Sequence, residues 1–318
     1  MGDFSWILLF DAAIRLATPL LFAAIAGMLS ERAGIIDIGL EGKMLVGAFA
    51  AAAWTALSGS VWEGVLVAML CAMALSALHG FACIVHKGDQ VVSGIAINML
   101  ALSLTSLLAH RLFSQGGMTP VLSDELRLPT LSMPPLIPAN DGWLSHVYWD
   151  LISGHNVLVY LVLIVVILAA LFFKYSPYGN QLIAAGENPR ALKRAGGSVT
   201  KVRFASILIG GAICGVAGAF LSVGHGAGFV ENMTVGKGFI ALAALIFGKW
   251  RPSGVLVACL LFGLLEALAI RLQGHPLFAQ GGALPIQLIE VLPYVLTLIV
   301  LAGVIGPSLA PSSLGKQG

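Results

Sequence analysis

Nine apolar runs dominate this chain: 7–29, 43–57, 65–85, 91–113, 157–173, 204–223, 237–248, 254–272 and 287–305. A helix needs about 20 apolar residues to cross a bilayer, and seven of the nine approach or reach that length. In lipid the backbone must satisfy its own hydrogen bonds, so long continuous runs specify helices. Composition closes the alternatives. Only 10% of the 318 residues are charged and 58% are hydrophobic, with a mean hydropathy of +0.95. A soluble domain carries roughly 25% charged residues. These values exclude a soluble enzyme, a disordered chain and a nucleic-acid binder. The expected fold is all-α: a polytopic inner-membrane bundle of about eight to ten spans in a single transmembrane domain, 1–318, with halves at about 1–113 and 157–305. The first run has no basic residue before it, which reads as a retained span rather than a cleaved signal. Cys71, Cys83, Cys214 and Cys259 all fall in apolar runs and read as small packing residues.

Two runs, 43–57 and 237–248, are too short to cross as straight helices. They read as half-helices or broken spans, whose irregular ends persist at membrane depth only when buried in protein or lining a cavity. Lys and Arg set the orientation. With 174–203 placed in the cytoplasm, that side holds twelve of them, Arg32, Lys43 and Arg203 included, against four outside. The N-terminus is then outside and the C-terminus inside. The external loop 114–156 is proline-rich and closes on Trp143, Tyr148 and Trp149. It reads either as an ordered loop with an aromatic belt or as a docking surface. In the internal segment 174–203, Asn188 can cap a short helix with Pro189 in its first position, and Gly196 and Gly197 stop it.

The sequence carries no HExxH, GxSxG or GxxxxGK[ST] motif, so no P-loop is available for ATP. His79, Cys83 and His86 share a helix face by spacing. Interhelical hydrogen bonding is the reading we favour over a metal, and no metal or other cofactor is assigned.

Ionisable groups inside spans are costly unless paired or wetted. Asp11 and Arg15 stand four apart and read as an internal pair. Glu266, Glu290 and Asn98 read as interhelical glue or as lining. The densest cluster is GIIDIGLEGKMLVGAF, residues 34–49, where Asp37 and Glu41 lie among Gly34, Gly39, Gly42 and Gly47. So much glycine argues for a break or close backbone approach; a central site, a hinge and a surface loop all remain open. A second cluster, ENMTVGKGFIALAALIFGKWRPSG at 231–254, shares its Gly-Lys pair and terminal Trp. With the two short runs pointing oppositely, the pattern is that of inverted repeats with a pathway between them. The candidate pathway residues are Asp37, Glu41, Asn98, Asn232 and Lys237. Gly211, Gly215 and Gly218 mark 204–223 as a close-packing helix.

SERAGIIDIGLEGKMLVGAFAA, AAGENPRALKRAGGSVTKVRFASILIGGAICGVAGAF and GAGFVENMTVGKGFIALAALIFGKWRPSG resemble membrane permeases of bacterial ABC importers of the branched-chain amino acid/ribose type. The closest likeness is to the nucleoside branch served by basic-membrane-protein-type lipoproteins. The resemblance implies a pair of permeases, identical or homologous, with two ABC ATPase subunits below and a periplasmic or lipid-anchored binding protein above. ATP and Mg would then sit on the partner ATPase, leaving this chain a non-enzymatic pore subunit. Glu187, Asn188, Pro189 and Arg190 match the segment that contacts the ATPase. GIIDIGLEG matches the discontinuous helix beside the pathway, with Asp37 where that branch often has Asn. A nucleoside-like solute is expected, a simple sugar or riboflavin being the alternative within the class. Outside the class, an ion-coupled transporter would use Asp37, Glu41 and Glu266 as ion sites.

Overall fold

A computed structural model describes residues 6–114, 116–132, 134, 145, 147–273, 291, 295 and 309–316. The apolar runs become helices: α1 (Trp6–Arg32), α2 (Leu40–Ser58), α3 (Val61–Gly80), α4 (Gln90–Phe113), α5 (Val157–Tyr175), α6 (Pro177–Glu187), α7 (Pro189–Arg194), α8 (Val199–Ala219), α9 (Lys237–Phe247) and α10 (Pro252–Gln273). π-helical turns extend α3 through Phe81–Val85 and α8 through Phe220–His225. Among the described residues there is no β-strand, only a single bridge between Thr130 and Asn156. Six helices among the described residues are long and apolar enough to cross a membrane. The run 287–305 apart from 291 and 295, with Glu290, Pro135, Pro138 and Trp143, lies outside the described residues.

Side chains placed just ahead of the runs start the helices. Asp89 accepts from the Val92 amide at 2.9 Å ahead of α4, and Asn156 from the Leu158 amide at 3.0 Å ahead of α5. Each satisfies a donor that the first turn leaves free. Helices α1 and α8 form the centre, being 78% and 72% buried over their most apolar stretches. Helix α4, 22% buried, presents Val92, Ile95, Met99 and Leu107 outward, as a bilayer-facing helix does.

The packing repeats itself. Helix α1 lies along α10 as α3 lies along α8, and α1 meets α9 as α8 meets α2. Exchanging α1–α3 with α8–α10 therefore maps one set of neighbours onto the other, which is the relation expected of internal repeats. The central seam is backbone against backbone. A Cβ on Gly218 would stand 2.1 Å from the Met44 carbonyl oxygen, and one on Gly215 2.5 Å from that of Ala68. A Cβ on Gly211 would meet Ser76 Oγ at 2.2 Å. The three glycines thus do what their spacing implies.

Of the two alternatives for the run 43–57, the half-helix is corrected and the broken span holds: α2 has 19 residues, about 28 Å at 1.5 Å per residue, with non-helical chain at 33–39 ahead of it. Its first turn holds Lys43, which pairs with Asp37 inside the protein, as described below. Lys43 is therefore buried rather than part of a basic loop, and Arg203 lies buried in α8. Two of the charges used to set the orientation thus sit inside the bundle. The run 237–248 does yield a short helix: α9 has 11 residues, about 16 Å long.

Segment 116–132 is ordered against the end of α8. Thr119, Leu122 and Leu128 donate their amides to Phe229, Ala227 and Val223 at 3.1, 2.8 and 2.9 Å. The Tyr148 hydroxyl donates to the Pro134 carbonyl. All four cysteines are free, and Cys83, Cys214 and Cys259 are buried.

Candidate functional site

The chain between α1 and α2 leaves helical geometry inside the protein. Gly34, with φ +93°, makes the turn out of α1, in a region that glycine alone enters freely. The exposed backbone groups of 35–39 then need partners, and neighbouring helices supply them. The Ile36 amide donates to Gln90 Oε1 at 2.7 Å. His79 Nε2 stands 3.1 Å from the Ile36 carbonyl oxygen, and its Nδ1 2.9 Å from Ser93 Oγ. Asn98 donates to the Ile38 carbonyl at 3.0 Å and accepts from the Gly42 amide at 2.8 Å. His79 thus serves interhelical hydrogen bonding.

Asp37 turns inward. Lys43 Nζ lies 2.7 Å from each of its carboxylate oxygens, and Ser30 Oγ donates to it at 3.2 Å. Asp37 is 1% exposed and Lys43 is fully buried. Buried charges persist when paired and bonded on their remaining sites, and both conditions hold for this carboxylate.

Glu41 crosses to the other repeat. One carboxylate oxygen accepts from Thr234 Oγ1 at 2.5 Å and from the Gly236 amide at 2.8 Å; the other accepts from the Gly238 amide at 2.6 Å. These are donors at the start of α9, so the carboxylate also meets the positive end of that helix. The approach is close enough that a Cβ on Gly238 would lie 2.5 Å from the Glu41 backbone. The N-termini of α2 and α9 therefore face each other across one side chain. Lys237 turns the other way, to Glu266 Oε1 at 2.6 Å. Asn232 stands apart at the exposed turn ahead of α9, with φ +57°.

The structure thus gathers the buried Asp37 and Glu41 and the half-buried Asn98 around one stretch of chain, borders it with Lys237, and leaves Asn232 outside. Sequence reasoning missed Lys43, His79 and Gln90 as members. A lone Lys six residues after a lone Asp in an apolar run was the available signal for Lys43. Asp11 and Arg15 pair as their spacing predicts, and His155 Nδ1 approaches Asp11 at 3.6 Å. At the far end of α1, Glu31 accepts from Trp250 Nε1 at 2.6 Å.

The second candidate region is the helix pair α6–α7. Asn188 Oδ1 accepts from the Ala191 amide at 3.0 Å, and Pro189 follows in the first position of α7. Leu192 is buried against Ala185 and Val199, while Arg190, Lys193 and Arg194 are exposed. This is a small helix anchored by one side chain with its cations outward. Glu187 accepts from the amide and hydroxyl of Ser312 at 3.2 and 2.7 Å.

A broken helix stitched into an apolar helical bundle, with paired repeats and a charged helix at one end, defines an all-α multi-pass membrane protein. The chain belongs to the family described as branched-chain amino acid transport system / permease component, which matches residues 9–301. It is 34% identical to the guanosine ABC transporter permease protein NupQ of Bacillus subtilis, over 96% of this chain and 94% of that one. It is 33% identical to the nucleoside ABC transporter permease protein NupC of Lactococcus lactis subsp. cremoris, over 94% and 92%. A Haloferax volcanii permease provisionally named for glucose ABC transport is 35% identical, over 92% and 90%. No solved structure matches the chain.

Proposed function

We propose that this chain is the membrane-spanning, non-enzymatic subunit of an ATP-driven importer in the bacterial cytoplasmic membrane and that it carries a nucleoside-like solute. The observation that carries the reading is the meeting of α2 and α9 on Glu41 at the centre of a permease-family bundle. Such discontinuities mark the solute path in transporters built from repeats. The path passes the cluster of Asp37, Glu41, Asn98 and Lys237, with Asn232 at its outer turn. The N-terminus is outside and the C-terminus cytoplasmic, which puts α6 and α7 where an ATPase can reach them. Glu187, Asn188, Pro189 and Arg190 contact that ATPase, which holds the ATP and Mg. A second permease and an external binding protein complete the assembly. The names of the Bacillus and Lactococcus relatives support the nucleoside; that of the Haloferax relative favours a sugar as the second reading.

An ion-coupled mechanism is less well supported. Asp37 pairs with Lys43, Glu41 with the start of α9, and Glu266 with Lys237. Each carboxylate proposed to bind an ion already has a protein partner.

The test is a gentle-detergent pull-down of the tagged chain from native membranes, with partners identified by mass spectrometry. An ATPase and a binding protein are expected. The binding protein is then screened against nucleosides, sugars and flavins. Arg190→Glu should leave the complex assembled while uncoupling ATP hydrolysis from uptake in vesicles. Recovery of the chain alone, with a control complex surviving the same detergent, would return the ion-coupled reading.

A further inference from the structure

Helices α1 and α6 both end where the last described stretch of the chain, 309–316, runs across them. A Cβ on Gly186 would lie 2.0 Å from the Arg32 carbonyl oxygen and 3.2 Å from the Gly34 amide nitrogen. The ends of the two helices therefore touch through backbone alone. Their terminal carbonyls have no partner within their own helices, and one buried side chain serves both. Arg203 Nε donates to the Ala33 carbonyl at 3.0 Å, and its Nη2 to the Ala185 carbonyl at 3.4 Å. Segment 309–316 closes the contact. The Ser313 amide donates to the Gly186 carbonyl at 2.8 Å, and its hydroxyl bonds to that same carbonyl. The Gly315 amide donates to the Gly34 carbonyl at 3.3 Å. Ser312 holds Glu187 from the same segment.

We infer that this contact, clasped by Arg203 and Ser313, is the joint through which displacement of α6–α7 moves the broken segment 33–39; the coupling role rests on the reading that α7 receives an ATPase. Arg203 and Ser313 are positioning residues: neither reaches the Asp37–Lys43 pair, but Arg203 bonds Ala33 at the turn that leads into it, and Ser313 bonds Ala185 and Gly186 on the other side while Gly315, two residues on, bonds Gly34. Asp37, Glu41 and Lys43 follow that turn, and Ser30, just ahead of it in α1, bonds back to Asp37. A shift of Gly186 would have to carry Gly34 with it, because neither glycine has a side chain to yield and the same guanidinium grips both ends. Arginine suits the role, since its planar fork reaches two acceptors at once where lysine offers a single ammonium point.

The joint predicts a defect in the ratio of solute moved to ATP hydrolysed. In the complex purified with its co-isolated partners and placed in vesicles, Arg203→Met should lower that ratio at least about tenfold, the factor for one charge-assisted hydrogen bond. Arg203→Lys should fall between Met and the native residue, and Ser313→Ala should lower the ratio less. A purely structural role would lower uptake and hydrolysis in step and leave the ratio alone. A native ratio in all three variants overturns the inference. If Arg203→Met does not accumulate in membranes, Ser313→Ala and Arg203→Lys decide by the same criterion. A second measurement needs no ATPase: hydrogen–deuterium exchange of the purified chain. Ser313→Ala should speed exchange in 33–39 and in 185–188 together. Faster exchange at 185–188 alone overturns the joint. Native chain that captures no ATPase counts against the functional reading, and exchange then judges the joint separately.

Discussion

Glu41→Gln isolates the charge that joins α2 to α9. The carboxylate is 8% exposed and accepts three hydrogen bonds, at 2.5, 2.8 and 2.6 Å. Glutamine keeps a single acceptor oxygen and points N–H groups at donors. At least one of the Gly236 and Gly238 amides is then left without a partner, at a cost of about 1–3 kcal/mol. Loss of the negative charge at the start of α9 adds up to about 2 kcal/mol in a partly buried setting. The sum is about 1–5 kcal/mol, or roughly 5-fold to several-thousand-fold in the folding equilibrium. Glu266→Gln is the comparison. It removes the Lys237 pair, in which the Glu266 side chain is 30% exposed, and leaves the α9 amides bonded; a single partly exposed pair contributes about 1 kcal/mol or less. Equilibrium unfolding of the purified chain in mixed micelles, titrated with sodium dodecyl sulfate, reads both. A loss for Glu41→Gln no larger than that for Glu266→Gln refutes the reasoning that Glu41 pins α9 in place.

Asp37→Asn strands the fully buried Lys43 and should cost about 3–5 kcal/mol, whereas Asp37→Asn combined with Lys43→Met should recover most of that; a double-mutant cycle in the same titration measures the coupling. Gly218→Ala puts a methyl 2.1 Å from the Met44 carbonyl, so the α2–α8 seam must open and little folded chain should reach the membrane fraction in size-exclusion assays. Asn188→Ala removes the cap of α7 and should lower local stability by about 1 kcal/mol, seen as faster amide exchange at 190–194 with α8 unchanged.

The spans were legible because hydropathy alone dictates them. The runs 7–29, 91–113 and 157–173 differ from α1, α4 and α5 by only a few residues. The capped α7 was legible because Asn188, Pro189 and the glycine pair act locally. The repeat was legible only as faint likeness, and its force comes from packing that no single-chain pattern displays. What escaped was pairing across distance. Lys43 looked like a loop charge because sequence does not show that Asp37 folds back onto it. His79 was legible as an interhelical hydrogen-bonder, but neither it nor Gln90 could be placed on 35–39, because there their partner is backbone, and backbone has no signature in the sequence. The clasp at Gly34 and Gly186 escaped for the same reason: its acceptors are carbonyls brought together from positions more than 150 residues apart.

The glycine seam of α8 against α2 and α3 limits how this protein can move. Where backbones touch, there are no long rotamers to absorb a small slide. The nearest alternative fit lies a full helical turn away, about 5.4 Å along the axis. Helices α2, α3 and α8 should therefore travel as one rigid body. Any change of shape is pushed to the ends of that block, where the chain is already non-helical, at 33–39 and 226–236. Among the described residues these two stretches are hinges that Glu41 ties to one another's neighbourhood, hydrogen-bonded from α2 to Thr234 and Gly236.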